Sequence, residues 1–109
     1  MDEKEIVLCG ASSYEKKFYL NPEFKSLPNS IQEELKIMCV LFTEDVGGIL
    51  TLIYDIDGSL CFRVAANEDD FLYDEIGSGL KIKELQNEKQ DLLEALQMYY
   101  RLVFMKGES

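Results

Sequence analysis

Histidine is missing from the chain altogether. That absence removes the commonest general base, the usual partner of a serine or cysteine nucleophile, and the commonest zinc ligand. Carboxylates are left for acid–base work, so the inventory argues against an enzyme and implies no cofactor. Basic residues are also scarce: 11 Lys and Arg stand against 21 Asp and Glu, a net charge of −10. Nucleic acid and anionic membranes both need clustered Lys and Arg to neutralise phosphate, so neither is an expected partner. Lys16-Lys17 is the one adjacent basic pair, and a pair is no patch. The acidity itself reads as a source of solubility. No C-x-x-C links Cys9, Cys39 and Cys61. They read as buried thiols acting as small hydrophobes, without a disulfide. No apolar run approaches the ~20 residues that span a bilayer. The opening Met1-Asp2-Glu3-Lys4-Glu5 is acidic, the opposite of a secretory n-region, so the expected location is the cytoplasm.

What is present suits one globular domain over residues 1–109, with 47% apolar and 29% charged residues. The organising stretch is Lys36-Ile37-Met38-Cys39-Val40-Leu41-Phe42, set in a helix expected from Ser30 to Val46. Ser30-Ile31-Gln32-Glu33 reads as a capping box, and Gly47-Gly48 as a left-handed stop. Ile31, Leu35, Met38 and Phe42 recur at helical spacing. Beyond Lys36 the helix is apolar all round, so more than one neighbour must cover it: a second helix or a partner chain.

Glu5–Cys9 is expected as a strand, Gly10–Ser13 as a turn, and Lys16–Leu20 as a second strand. Asn21 should cap a short helical turn with Pro22 at its first position. A hairpin follows over Ile49–Asn67. A two-residue loop at Asp57-Gly58 would mix polarity on both of its faces. A three-residue loop, Ile56-Asp57-Gly58, instead collects Leu50, Leu52, Tyr54, Leu60, Phe62 and Val64 on one face. The second register is the expected one, with Gly58 in the left-handed position after a type I turn. From about Leu80 to Met105 the chain reads as one long helix closed by Gly107. Leu85, Leu92, Leu96, Tyr99 and Val103 form its apolar line, with Lys89 the one polar residue on it. Ile82, Leu93, Tyr100 and Phe104 widen the arc to roughly 140°. The order ββαββα predicts an α+β domain, an antiparallel sheet of about four strands with two helices packed on one face.

Three short stretches imitate known sites. Asp55-Ile56-Asp57-Gly58-Ser59 starts like a calcium loop but places glycine fourth instead of sixth, and has no Glu at twelve. Cys9-Gly10-Ala11-Ser12-Ser13 has no neighbouring base to activate its thiol. Gly77-Ser78-Gly79 lacks the lysine of a phosphate loop and follows Asp74 and Glu75, which repel phosphate. The candidate cation ligands are Glu68, Asp69, Asp70, Asp74 and Glu75, five carboxylates within eight residues. Carboxylates this close are solvated, used as helix caps, or satisfied by a cation or a basic partner.

Val7-Leu8-Cys9, Ser13-Tyr14-Glu15, Phe24 with Leu27-Pro28, Phe42-Thr43-Glu44-Asp45-Val46-Gly47-Gly48-Ile49 and Tyr73-Asp74-Glu75-Ile76-Gly77-Ser78-Gly79-Leu80 carry a resemblance. Together they resemble a small family of uncharacterised proteins of anaerobic Firmicutes, over Val7 to about Val103. The resemblance implies a cytoplasmic bacterial protein of one domain and assigns no catalytic residue. The leading functional expectation is a non-enzymatic intracellular interaction module that self-associates as a homodimer. Leu93, Tyr100 and Phe104 are its candidate interface residues. The first rival is a regulatory domain binding a small ligand or divalent cation through residues 68–75. A carboxylate-based enzyme comes third.

Overall fold

The computed structural model describes residues 5–105. Gly107, expected to close the last helix, lies outside them. The elements run β1 (Ile6–Ser12), β2 (Lys17–Leu20), a 3-10 turn (Pro22–Phe24), α1 (Asn29–Val46), β3 (Ile49–Tyr54), β4 (Leu60–Ala65), α2 (Glu75–Glu88) and α3 (Gln90–Phe104). The fold is α+β, with one four-stranded antiparallel sheet in the order β2-β1-β3-β4.

The hairpin β3–β4 has the expected register: Leu50 faces Val64, Leu52 faces Phe62 and Tyr54 faces Leu60. Asp55 N–H donates to the Ser59 carbonyl at 2.9 Å, and Gly58 has φ +83°. Alternation decides the register because a slip of one residue would turn Leu50, Leu52 and Tyr54, all fully buried, toward water. Two expectations at the other hairpin are corrected. β1 runs on through Gly10 to Ser12, and the turn falls at residues 13–16. Gly10 is there for close packing: a Cβ on it would lie 2.9 Å from the Leu50 carbonyl oxygen on β3. Leu8 is the extra residue of a bulge against β3. Asn21 satisfies the exposed carbonyls around it, donating from Nδ2 to Val7 O and from its backbone to Leu8 O.

α1 stands where expected, but its capping box does not form. The helix begins at Asn29, one residue before Ser30, and Pro28 precedes it with no side-chain cap. Pro28 O accepts from both Ile31 and Gln32, so the start is held by backbone alone. At the far end Gly47, with φ +83°, closes the helix by donating to Thr43 O.

The expected helix of residues 80–105 is two helices. α2 begins earlier, at Glu75, where Asp74 accepts from Gly77 N–H, and the chain turns at Lys89. Six polar residues, Gln86 to Asp91, separate Leu85 from Leu92. A straight helix would carry Lys89 into the core. The break instead leaves its ammonium at the surface, 3.2 Å from Glu34. α2 packs against α1 and α3, and α3 reaches β4. Tyr54 Oη–H donates to Leu96 O, and Leu60 N–H donates to Gln97 Oε1. α1 and α3 therefore cover the same sheet face, with α2 bridging them.

Cys9 and Cys39 are buried and free, with their sulfurs 3.9 Å apart; Cys61 is half-buried. Contact with Cys39, and then burial, push the Cys9 thiol well above its ordinary range. Thiolate is the reactive form, so a thiol reagent added to the folded protein should modify Cys61 first. Cys9 and Cys39 should react only after denaturant is added. Fast labelling of either in the folded state, read by mass spectrometry, would show that this part of the core opens.

Candidate functional site

The acidic segment is dispersed by its local hydrogen bonds. Tyr14 Oη–H donates to Asp70 Oδ2, and the same phenol oxygen accepts from Asn67 N–H at 3.1 Å. The bond to Asp70 holds the Tyr14 phenol protonated and raises its pKa. Asp70 Oδ1 accepts from Leu72 N–H, and Asp74 caps α2. Glu75 is the first residue of that helix, while Glu68 and Asp69 stand exposed on the preceding turn. Among the described residues, no three carboxylates or thiols gather as a metal-ligand set. Asp70 and Asp74 act as local braces, the bonding that short acidic side chains favour at turns and helix starts.

The candidate interface residues also separate. Tyr100 is only 6% exposed, stacked on Tyr54 with ring centres 4.1 Å apart. Phe24, from the 3-10 turn, stacks on Phe104 at 4.9 Å and on Tyr54 at 5.7 Å. The segment between β2 and α1 therefore folds over Tyr100 and Phe104 as a lid, and Ser26 Oγ meets Tyr99 Oη at 2.8 Å. Leu93 is half-buried. Val103, expected in the apolar line, is exposed together with Met98 and Leu102. Tyr100 and Phe104 belong to the core because a distant segment covers them, a contact the helical period cannot register.

Two surfaces stand out instead. The first is the α1–α2 side. α1 and α2 run antiparallel, tied by Lys81 to Asp45 at 3.4 Å and by Lys89 to Glu34. Between them lies a groove of about 520 Å³ whose apolar lining includes Ile37, Leu41 and Leu85. Ile76 and Leu80, one helical turn apart on the outer face of α2, are also exposed. Phe71 and Leu72 lead into that helix at 90% and 93% exposed.

The second is a cavity of about 790 Å³ between the β1–β2 turn and α1. Its apolar lining is Ala11, Phe18 and Val40, and Lys16, Lys17 and Lys36 border it. The turn is fixed in place. Ser12 Oγ accepts from Tyr14 N–H and Glu15 N–H, and Ser13 N–H donates to Gly48 O at the exit of α1. Lys16 has φ +54°, a conformation that non-glycine residues seldom adopt. In the sequence Lys16-Lys17 stands as a lone pair and no patch; the third lysine, Lys36, lies far along the chain. The available signal was Lys36, Val40 and Thr43 on one helical line, with two polar ends and an apolar middle.

No helix among the described residues is long and apolar enough to cross a membrane. The chain matches no curated protein and no solved structure. A family of unknown function, DUF6145, matches it over residues 5–108. That match spans nearly all of the sequence, so the chain belongs to this family, whose function is not known.

Proposed function

We propose that the protein is a non-enzymatic interaction module that pairs with a second copy of itself through the α1–α2 face. One observation carries the reading: Ile37 and Leu41 line the groove and are both more than half exposed, and Leu85 lies on the facing side of α2. An apolar groove with exposed large side chains marks an interaction site more often than ordinary monomer surface. The groove walls carry both signs of charge, Glu33, Glu34 and Glu88 with Lys81 and Lys89. A twofold pairing places a patch against itself, which mixed charge tolerates and a single sign does not. The missing histidine favours binding over catalysis. Free thiols and an acidic surface support the bacterial cytosol as its setting.

Sedimentation equilibrium at tens of micromolar protein tests the pairing. A dimer is expected for the natural sequence, and a monomer of unchanged circular dichroism for Ile37→Glu combined with Leu41→Glu. A natural sequence that stays monomeric rejects self-association. A dimer that survives both substitutions places the interface elsewhere, with Met98, Leu102 and Val103 on α3 the next apolar surface to test. A second reading, small-ligand binding, is favoured by the lysine-bordered cavity and not by residues 68–75.

A further inference from the structure

The β1–β2 turn and α1 enclose a cavity bordered by three lysines, an uncommon setting in so acidic a chain. We propose that their cavity binds a small organic phosphate, a phosphate monoester with an apolar body. Charge is the first support. Arg63, Lys81 and Lys89 pair with Glu5, Asp45 and Glu34. Among the described residues, none of Lys16, Lys17 and Lys36 has a carboxylate within the 4 Å of an ion pair. In a chain with 21 acidic residues, three such ammonium groups around one cavity are an imbalance that a bound anion would relieve. Glu44 is the one carboxylate on the lining, so positive charge remains in excess and suits a doubly charged head better than a singly charged one.

Shape is the second support. At about 790 Å³ the cavity falls in the ~300–1,000 Å³ range of small-molecule sites, more room than an oxyanion alone needs. Ala11, Phe18 and Val40 give it an apolar floor that would hold a hydrocarbon or aromatic body. Ser12, Ser13 and Thr43 join the lysines among the polar residues that line it. The third support is rigidity. The bond from Ser13 to Gly48, with the Ser12 side chain closing the turn, holds Lys16 in its left-handed conformation. Residues kept in such conformations cluster at ligand sites, where a fixed side-chain direction is useful.

The test is a titration of the full chain, followed by amide chemical shifts, with phenyl phosphate, inorganic phosphate, phenylacetate and benzyl alcohol. Saturable shifts are expected for phenyl phosphate, confined to residues 11–18 and 36–47. Inorganic phosphate and phenylacetate should each bind about tenfold more weakly or worse, and benzyl alcohol should not saturate. Lys16→Gln combined with Lys36→Gln should weaken phenyl phosphate at least ~tenfold at unchanged melting temperature, while Lys83→Gln on α2 leaves it unaltered. Failure of phenyl phosphate to saturate in the millimolar range, or saturation centred on other residues, overturns the site. Equal binding of phenylacetate overturns the preference for a dianion. Equal binding of inorganic phosphate removes the role of the apolar floor.

Discussion

Phe24→Ala should destabilise the protein by about 3–5 kcal/mol, the range for deleting a buried aromatic ring. Phe24 is fully buried and stacks against Tyr54 of β3 and Tyr100 and Phe104 of α3. Its removal would leave a cavity between the lid and α3 that these large, rigid rings fill poorly. A domain of this size is stable by only about 5–15 kcal/mol, so the loss is a large share of the whole. Thermal unfolding should show it as a drop of roughly 15 °C or more in melting temperature. Phe71→Ala is the internal control. That ring is 90% exposed, and its loss should change stability by less than ~0.5 kcal/mol. Equal effects at the two positions would mean that residues 21–27 do not close over the aromatic stack.

Gly48→Val should cost about 3 kcal/mol or more. Gly48 has φ +77°, where a side chain is strained by about 1–2 kcal/mol. A Cβ there would also lie 2.7 Å from the Ala65 carbonyl oxygen and 2.7 Å from the Tyr73 ring. The first neighbour is backbone and cannot swing aside, so overpacking adds about 1–3 kcal/mol. Urea unfolding should show a lower midpoint at an unchanged slope. A midpoint within error of the natural sequence would show that the α1–β3 connection is loose.

The parts of this fold legible in the sequence were those fixed by near neighbours. Hairpin β3–β4 was legible down to its register, because alternation and Gly58 agree within a few positions. The end of α1 was legible because Gly47 supplies the conformation that its stop requires. The boundary between α2 and α3 was not. Its cause is a choice between burying Lys89 and turning the chain, and the apolar period continues on both sides of the turn. The start of α2 was hidden for the opposite reason: Gly77-Ser78-Gly79 reads as a loop, yet Asp74 caps it and Tyr73 Oη–H donates to the buried Ser78 hydroxyl at 2.8 Å. Phe24 and Phe71 are chemically identical, and only tertiary packing makes one a core residue and the other a surface one. The lysine-bordered cavity was invisible for the same reason, since Lys36 meets the β1–β2 turn only after α1 has docked.

The position of β1 has a consequence for the order of events in folding. Its partners lie on both sides: β2, a few residues ahead, and β3, beyond the whole of α1. Each hairpin can form by itself, but joining them requires a long loop to close before the contacts that reward it exist. During synthesis β1 emerges before α1 and β3 and must wait for both before its second edge is satisfied. Until then that edge, next to the buried Leu8 and Cys9, is the part of the chain most open to pairing with the wrong strand.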